Sequence, residues 1–235
     1  MNPNIKVVKS EVKILKDNFT NYSDELIENK NKLINLLNEL SYSFNSKEIE
    51  HLIKNIYDKT ILNINIVSKL MLDYSNGLNY ILKSTEYLEQ KDTIIQLYKG
   101  ANLKPNKVED DINSENIKLI EKDILTTNSE KTYLDFKKVN EIINSLKEIY
   151  LNIDNVFNKI EKDKNLLVSK DILDSSASDC MVDGMNNLVN KIPSIKNIFN
   201  NQIKSLEIFV ENYDLLNSKN VDNANEIIDK WEGKK

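Results

Sequence analysis

Two side chains of this sequence, His51 and Cys180, are of the types that form a nucleophile and its base. Each is the only residue of its kind in the chain. A thiolate needs a base within hydrogen-bond reach, so this pair could do chemistry only if the fold brought two distant segments together. A metal site at His51 would also need carboxylates from other segments. If the fold does not bring these groups together, we expect an exposed surface histidine and a half-buried cysteine at the start of a helix.

The acidic run at residues 109–115 has the residue types of a calcium-binding loop. Counted from Asp111, however, position six is Asn116 where the loop needs glycine, and position twelve is Lys122 where it needs glutamate. The run therefore predicts a solvated linker. The sequence also has no glycine-rich phosphate loop and no Gly-x-Ser-x-Gly motif. We predict a protein that is not an enzyme, with no catalytic residues, no cofactor and no metal ion.

The composition favours helices. The 235 residues include only four glycines and three prolines, too few for the turns of a β or α/β fold. The net charge of −5 and the lack of arginine argue against nucleic acid as a partner. No stretch approaches the ~18 consecutive apolar residues of a membrane span. The first residues also lack the apolar core of a signal peptide, so an exported chain would use another route.

Apolar residues recur at alternating steps of three and four along residues 8–44, 49–95, 139–167 and 181–231. This spacing is typical of helices that bury one face. We therefore predict an all-α fold of two long antiparallel helical hairpins, forming an elongated four-helix bundle or rod. The first hairpin would cover residues 1–99, a linker 100–116, and the second hairpin 117–235.

Two short serine-containing segments mark the reversals of the chain, with serine side chains as helix N-caps. The predicted turn residues are Phe44, Asn45, Ser46, Ser176, Ala177 and Ser178. A lapse in the apolar rhythm at residues 58–65 predicts an irregularity in the second helix. Pro193 lies inside the fourth run and predicts a kink or a local break there.

One set of apolar residues could either fill the core or bind a partner helix. It consists of Val67, Met71, Tyr74, Leu78, Ile81, Leu88, Phe199, Leu206, Phe209 and Tyr213. Further apolar side chains lie off the main runs, which predicts either a broader core or an exposed partner face. These are Ile34, Ile64, Ile66, Leu70, Leu72, Leu82, Ile94, Ile143, Ile203 and Ile208.

Two long helices, a serine-rich turn and a descending helix from Tyr74 to Tyr87 resemble the WXG100 proteins that type VII secretion systems export. Residues 174–228 resemble the same WXG100 pattern a second time. A tandem of this kind also resembles the helical N-terminal targeting domain of LXG toxins of Gram-positive bacteria. The resemblance implies secretion without a signal peptide, and as partners a secretion ATPase and either small helical proteins or a second copy of the chain. With no toxin domain after residue 235, the chain would be a targeting module or a stand-alone secreted protein.

The sequence departs from the WXG100 pattern at two places. Its only Trp-x-Gly, at Trp231 and Gly233, ends the last helix and does not form a turn. The family's export signal, Tyr-x-x-x-Asp/Glu after the second helix of a hairpin, is also absent there. The one literal match begins at Tyr150, in the middle of a helix. The resemblance implies that a bound partner contributes the signal.

We therefore expect a non-enzymatic secreted substrate or targeting module that binds other helices through apolar contacts. The alternative is a cytoplasmic coiled-coil scaffold or adaptor. A third class is a helical pore-forming toxin. Its longest candidate membrane segment, residues 61–72, is interrupted by asparagine, serine and lysine, so no stable membrane insertion is expected.

Overall fold

The computed structural model describes residues 6–43, 47–88, 136–169, 171–174 and 176–231, with side chains at several segment ends left outside the description. Five α-helices lie in these segments. They are α1 (Lys9–Ser43), α2 (Lys47–Ile56), α3 (Leu62–Leu88), α4 (Phe136–Val168) and α5 (Ser176–Trp231). Two strands of two residues each, β1 (Lys6–Val7) and β2 (Leu173–Asp174), are the other regular elements described. The predicted all-α class is confirmed.

The apolar runs form the buried faces of the helices. Every member of the first run from Val12 to Leu40 has a buried side chain, and so has every member of the third run from Val139 to Leu167. Phe19 and Phe157 are among the largest side chains that are fully buried. Most of the further apolar residues that lie off the main runs are buried or half-buried, whereas Leu72 and Ile208 are exposed. These residues therefore mainly broaden the core.

A π-helical turn at Tyr57–Ile61 joins α2 to α3 without ending the helix. In it the Leu62 N–H donates to the Tyr57 carbonyl, five residues back. The apolar rhythm steps by five residues from Ile56 to Ile61, and the extra residue of a π turn restores the helical phase after such a step. The irregularity predicted at residues 58–65 is therefore a widened turn that begins one residue earlier.

The helices pair antiparallel within each half of the chain. In the first hairpin, formed by α1 to α3, the Thr20 and Ser75 hydroxyls lie 2.7 Å apart and those of Ser23 and Ser68 lie 3.0 Å apart. In the second hairpin, formed by α4 and α5, Lys147 pairs with Glu207 at 2.7 Å and Asp154 pairs with Lys196 at 2.5 Å. Partner numbers fall on one helix as they rise on the other, which gives the antiparallel direction.

The two hairpins lie side by side and share one core. Along α1 and α4, Lys138 pairs with Glu39 at 3.1 Å and Lys159 pairs with Glu25 at 2.8 Å, so these helices are antiparallel as well. The division into hairpin domains at residues 99 and 117 stays a prediction. The predicted linker, residues 100–116, lies outside the described residues.

The reversal between α4 and α5 occupies residues 169–175. Within it β2 pairs antiparallel with β1, and the Val8 N–H donates to the Ile172 carbonyl at 2.8 Å. Ser176, Ala177 and Ser178 lie in the first turn of α5, so the sequence placed this reversal a few residues too late. The buried Ile172 and Leu173 anchor the earlier turn. The predicted turn residues Phe44, Asn45 and Ser46 lie outside the described residues.

Helix α5 is the longest of the described helices, with 56 residues. It runs through Pro193 without a break, so the predicted local break is wrong, whereas the alternative prediction of a kink remains untested. At a rise of 1.5 Å per residue, α5 is roughly 84 Å long.

Candidate functional site

His51 and Cys180 lie in different parts of the bundle. His51 is exposed on α2, one turn before Asn55, whose side-chain oxygen lies 3.1 Å from the Gln202 amide nitrogen. Cys180 is 22 residues before Gln202 on the same continuous helix, which places it roughly 33 Å away as measured along that helix. The fold does not bring the two together. Cys180 is also exposed, and not half-buried as the sequence predicted.

The residues predicted to form the core or to bind a partner mainly lie in the shared core. Val67, Met71, Leu78 and Ile81 of α3 are buried together with Tyr74, and so are Phe199 and Leu206 of α5. Phe209 is half-buried against the same core. The side chains of Leu88 and Tyr213 lie outside the described residues. Within the described bundle, most of this surface is already covered by the chain's own helices.

Gln202 is the centre of a buried polar cluster that links both hairpins. Its side-chain oxygen accepts hydrogen bonds from Tyr150 Oη at 2.6 Å and from Thr60 Oγ1 at 2.9 Å. Its amide nitrogen donates to Asn55 Oδ1 at 3.1 Å. The π-helical turn holds Thr60 on the buried side, and a 4.2 Å stack on Phe199 fixes the Tyr150 ring. We call these residues the Gln202 cluster.

Asp163 is the centre of a second polar cluster, on the α1 side of α4. One oxygen of this buried carboxylate accepts hydrogen bonds from Tyr22 Oη at 2.8 Å and Asn18 Nδ2 at 3.0 Å. Both donors belong to α1, so they hold α1 and α4 in one register. Burial raises the pKa of the Tyr22 hydroxyl, and the hydrogen bond to Asp163 raises it further. We call these three residues the Asp163 cluster.

A polar groove of about 470 Å³ lies beside the Asp163 cluster, between α1 and α4. Lys159 pairs with Glu25 across it, and Lys32 pairs with Glu28 along its edge. The pairing with Lys32 lowers the pKa of the exposed Glu28 carboxyl. Asn29 also lines the groove, and its buried Oδ1 has no hydrogen-bond partner among the described residues. The glutamates are neutralised by lysines, which leaves a polar surface of mixed charge.

Tyr74 of α3 packs directly against Gly184 of α5. A Cβ added at Gly184 would lie 3.1 Å from the Tyr74 ring carbon Cζ and would overlap the hydroxyl attached to it. The hydroxyl is buried and has no hydrogen-bond partner among the described residues. Burial also raises the pKa of Tyr74. Glycine at position 184 is therefore required by space, because the tyrosine ring fills the volume of a side chain there.

Gly184→Ala is expected to lower the free energy of unfolding by about 1 to 3 kcal/mol, because the new methyl group displaces the Tyr74 ring. The better helix propensity of alanine offsets up to about 1 kcal/mol of that loss. Adding Tyr74→Phe should recover most of the stability, because the closest atom is then gone. Urea unfolding of the two single variants and the double variant measures the coupling. Strict additivity of the two effects would contradict this packing.

The core predicted from the sequence consisted of apolar side chains at helical spacing. It therefore did not include Gln202, Asp163 or Gly184. For Gln202 and Asp163, the spacing of the neighbouring apolar residues indicated a core position. Gln202 lies three residues after Phe199 and four before Leu206, and Asp163 lies in the same relation to Ile160 and Leu167. Each occupies a core position where the apolar rhythm lapses.

The comparisons with known proteins give no relative. No family model matches the chain, and neither a curated protein nor a solved structure matches it significantly. In the described part of the chain, none of the helices combines the length and the apolar character that crossing a membrane requires. The same residues contain no cluster of three or more histidine, cysteine, aspartate or glutamate side chains that could hold a metal ion.

Proposed function

We propose that this chain is a non-enzymatic helical protein of a type VII secretion system, either a secreted substrate or a targeting module, and that it binds small helical proteins. The resemblance of its two hairpins to WXG100 and LXG proteins supports the secretion class. The all-α architecture supports binding by helix-to-helix packing, in which apolar faces supply the affinity and polar groups select the register.

The far end of α5 is the observation that carries the proposed binding. Lys147 is level with Glu207, and Phe136 begins α4 eleven residues earlier, so the start of α4 is level with about residue 218 of the antiparallel α5. Helix α5 continues to Trp231, roughly 20 Å beyond that level. It therefore projects past the start of α4.

The sequence keeps its apolar rhythm along this projection, at Val221, Ala224, Ile228 and Trp231. An isolated helix of this length is marginal in water and gains stability when its apolar face packs on another element. We infer that a partner helix packs along these positions. The partner would be a small amphipathic helical protein encoded beside this one.

Two measurements test this function. The tagged full chain is co-expressed with the small proteins encoded beside it, and the purified complex is analysed by mass spectrometry. Ile228→Lys should reduce the captured partner at least about tenfold, because it introduces a charge into the apolar run that the proposed partner helix would cover. Asn223→Lys adds the same charge off the apolar run and should leave capture unchanged. Equal capture by the two variants would refute binding along this part of α5.

Export separates the secretion class from the cytoplasmic scaffold. The chain should accumulate in the culture supernatant of the native organism and be lost from it when the secretion ATPase gene is deleted. A cytoplasmic marker protein controls for lysis. A scaffold would stay with the cells in both strains, even if it binds a helical partner.

A further inference from the structure

The polar groove between α1 and α4 has the size of a small-ligand site. Its volume of about 470 Å³ lies within the range of about 300 to 1,000 Å³ that is typical of such sites. Three asparagines line it, Asn29 of α1 and Asn152 and Asn155 of α4, together with two glutamates and two lysines. Every lining residue is polar or charged, so a ligand would be held by hydrogen bonds and not by apolar burial.

Asn29 has a buried hydrogen-bond acceptor that the described residues leave unused. The side chain is 7% exposed, and its Oδ1 has no hydrogen-bond partner among those residues. Its Nδ2 donates to the Glu25 carbonyl at 2.8 Å, so turning the amide over would bring two oxygens together. Oδ1 is therefore the atom without a partner, and a buried acceptor in this state is costly. A ligand that donates a hydrogen bond to Oδ1 removes that cost.

The groove is the side from which a donor can approach this oxygen. Asn29 lies between the buried Leu26 and Leu33 on the core face of α1, and it also lines the groove. The oxygen itself is covered, so a donor reaches it after neighbouring side chains move. The charged side chains that line the groove are 41% to 67% exposed and form surface ion pairs. Such pairs contribute little to stability, so moving them aside costs little.

The charges of the groove favour a neutral ligand. Glu25 pairs with Lys159 at 2.8 Å and Glu28 pairs with Lys32 at 2.7 Å, so the four charged lining residues cancel in pairs. A cationic ligand would have to replace a lysine at a glutamate, and an anionic ligand would have to replace a glutamate at a lysine. A hydroxyl group needs no such exchange, because it donates to a carboxylate or amide oxygen and accepts from an ammonium or amide N–H.

We propose that this groove binds a neutral polyhydroxylated compound, namely a short saccharide, and that one of its hydroxyl groups donates to Asn29 Oδ1. The side-chain amides of Asn152 and Asn155 offer donors and acceptors to further hydroxyl groups from the α4 side. The lining residues provide no apolar or aromatic surface for the sugar ring, so we expect weak binding with a Kd of about 1 mM. The proposal is independent of secretion and of helix binding along α5.

Titration of the isotope-labelled full chain with cellobiose or maltose tests the groove. Nuclear magnetic resonance follows the side-chain amide signals of the asparagines, and the Asn29 signal is the one that the Asn29→Leu variant lacks. This signal and that of Asn152 should shift and saturate with a Kd of about 1 mM. In Asn29→Leu, binding followed at Asn152 should be at least about fivefold weaker, because leucine keeps the volume but removes the buried acceptor.

Asn35→Leu is the matched control, because Asn35 is an exposed asparagine of α1 that does not line the groove. It should leave the Kd unchanged. Circular dichroism checks that each variant is folded, and Asn152→Leu, followed at Asn29, takes the place of Asn29→Leu if that variant does not fold. Spermidine and citrate are the cationic and anionic probes, and neither should bind as tightly as the disaccharides.

Three results would overturn the saccharide site. The first is that neither disaccharide gives a saturable shift up to about 50 mM, well above the expected Kd. The second is that the groove variant and Asn35→Leu bind equally well. The third is that spermidine or citrate shifts the Asn29 signal at lower concentrations than either disaccharide, because the groove would then select a charged ligand.

Discussion

Gln202→Ala is expected to lower the free energy of unfolding by about 2 to 4 kcal/mol. The substitution removes the oxygen that accepts hydrogen bonds from both Tyr150 and Thr60, and each buried hydroxyl left without a partner costs about 1 to 3 kcal/mol. It also leaves a cavity next to the stacked Tyr150 and Phe199 rings. Thermal unfolding followed by circular dichroism should show a fall of roughly 5 to 15 °C in the midpoint.

Two further variants show whether the loss comes from unpaired polar groups. Ser205→Ala lies three residues away on the exposed face of α5 and should change stability by less than about 0.5 kcal/mol. The combination Gln202→Leu, Tyr150→Phe and Thr60→Val removes the acceptor and both donors, so it should be closer to wild type than Gln202→Ala. If the triple variant were instead the least stable, the cluster would contribute more than the desolvation of its members.

The protein is expected to lose stability steeply above about pH 10. Burial raises the pKa values of Tyr22, Tyr74 and Tyr150 above the usual tyrosine range. A raised pKa in the folded state means that the neutral hydroxyl contributes fully below pH 10 and that this contribution declines at higher pH, because only the unfolded chain can ionise. Each tyrosine removes about 1.4 kcal/mol per pH unit in that window, so the three together remove about 4.

Single tyrosine substitutions show how much of this slope belongs to each buried hydroxyl. Tyr74→Phe should reduce the slope of unfolding free energy against pH by about one third between pH 10 and 12. Tyr42→Phe is the matched control, because it removes the hydroxyl of a tyrosine that is 74% exposed. The measurement is urea unfolding at intervals of half a pH unit. Identical slopes for the two variants would show that Tyr74 ionises in the folded protein.

The helices of this fold could be predicted because each buries one face. Steps of three and four residues are read from the sequence alone, and the buried positions follow them along α1, α4 and most of α5. The lapses in the rhythm were also informative. Asn29 lies three residues after Leu26 and four before Leu33, the same relation that Gln202 and Asp163 have to their neighbours, and all three are buried. A polar residue at a lapse therefore remained on the core face.

The pairing of the helices could not be predicted from periodicity. A repeating apolar face shows that a helix packs against something, but the rhythm is the same for any partner. The choice of α4 as a neighbour of α1 depends on contacts such as Tyr22 with Asp163, whose residues are 141 positions apart. The approach of Tyr74 to Gly184 was equally hidden, because one glycine in a helical run has many explanations. Contacts between residues so far apart in the chain leave no repeating pattern in the sequence, so periodicity cannot predict them.

The two-residue strand at Lys6–Val7 makes the folding of the first described residues depend on distant ones. Its partner strand ends at Asp174, so about three quarters of the chain must leave the ribosome before the two strands can pair. Contacts across so long a loop carry a large entropic cost and form late when a chain folds. The residues of β1 are made before those of β2 and are expected to be among the last of the described residues to become protected from hydrogen exchange.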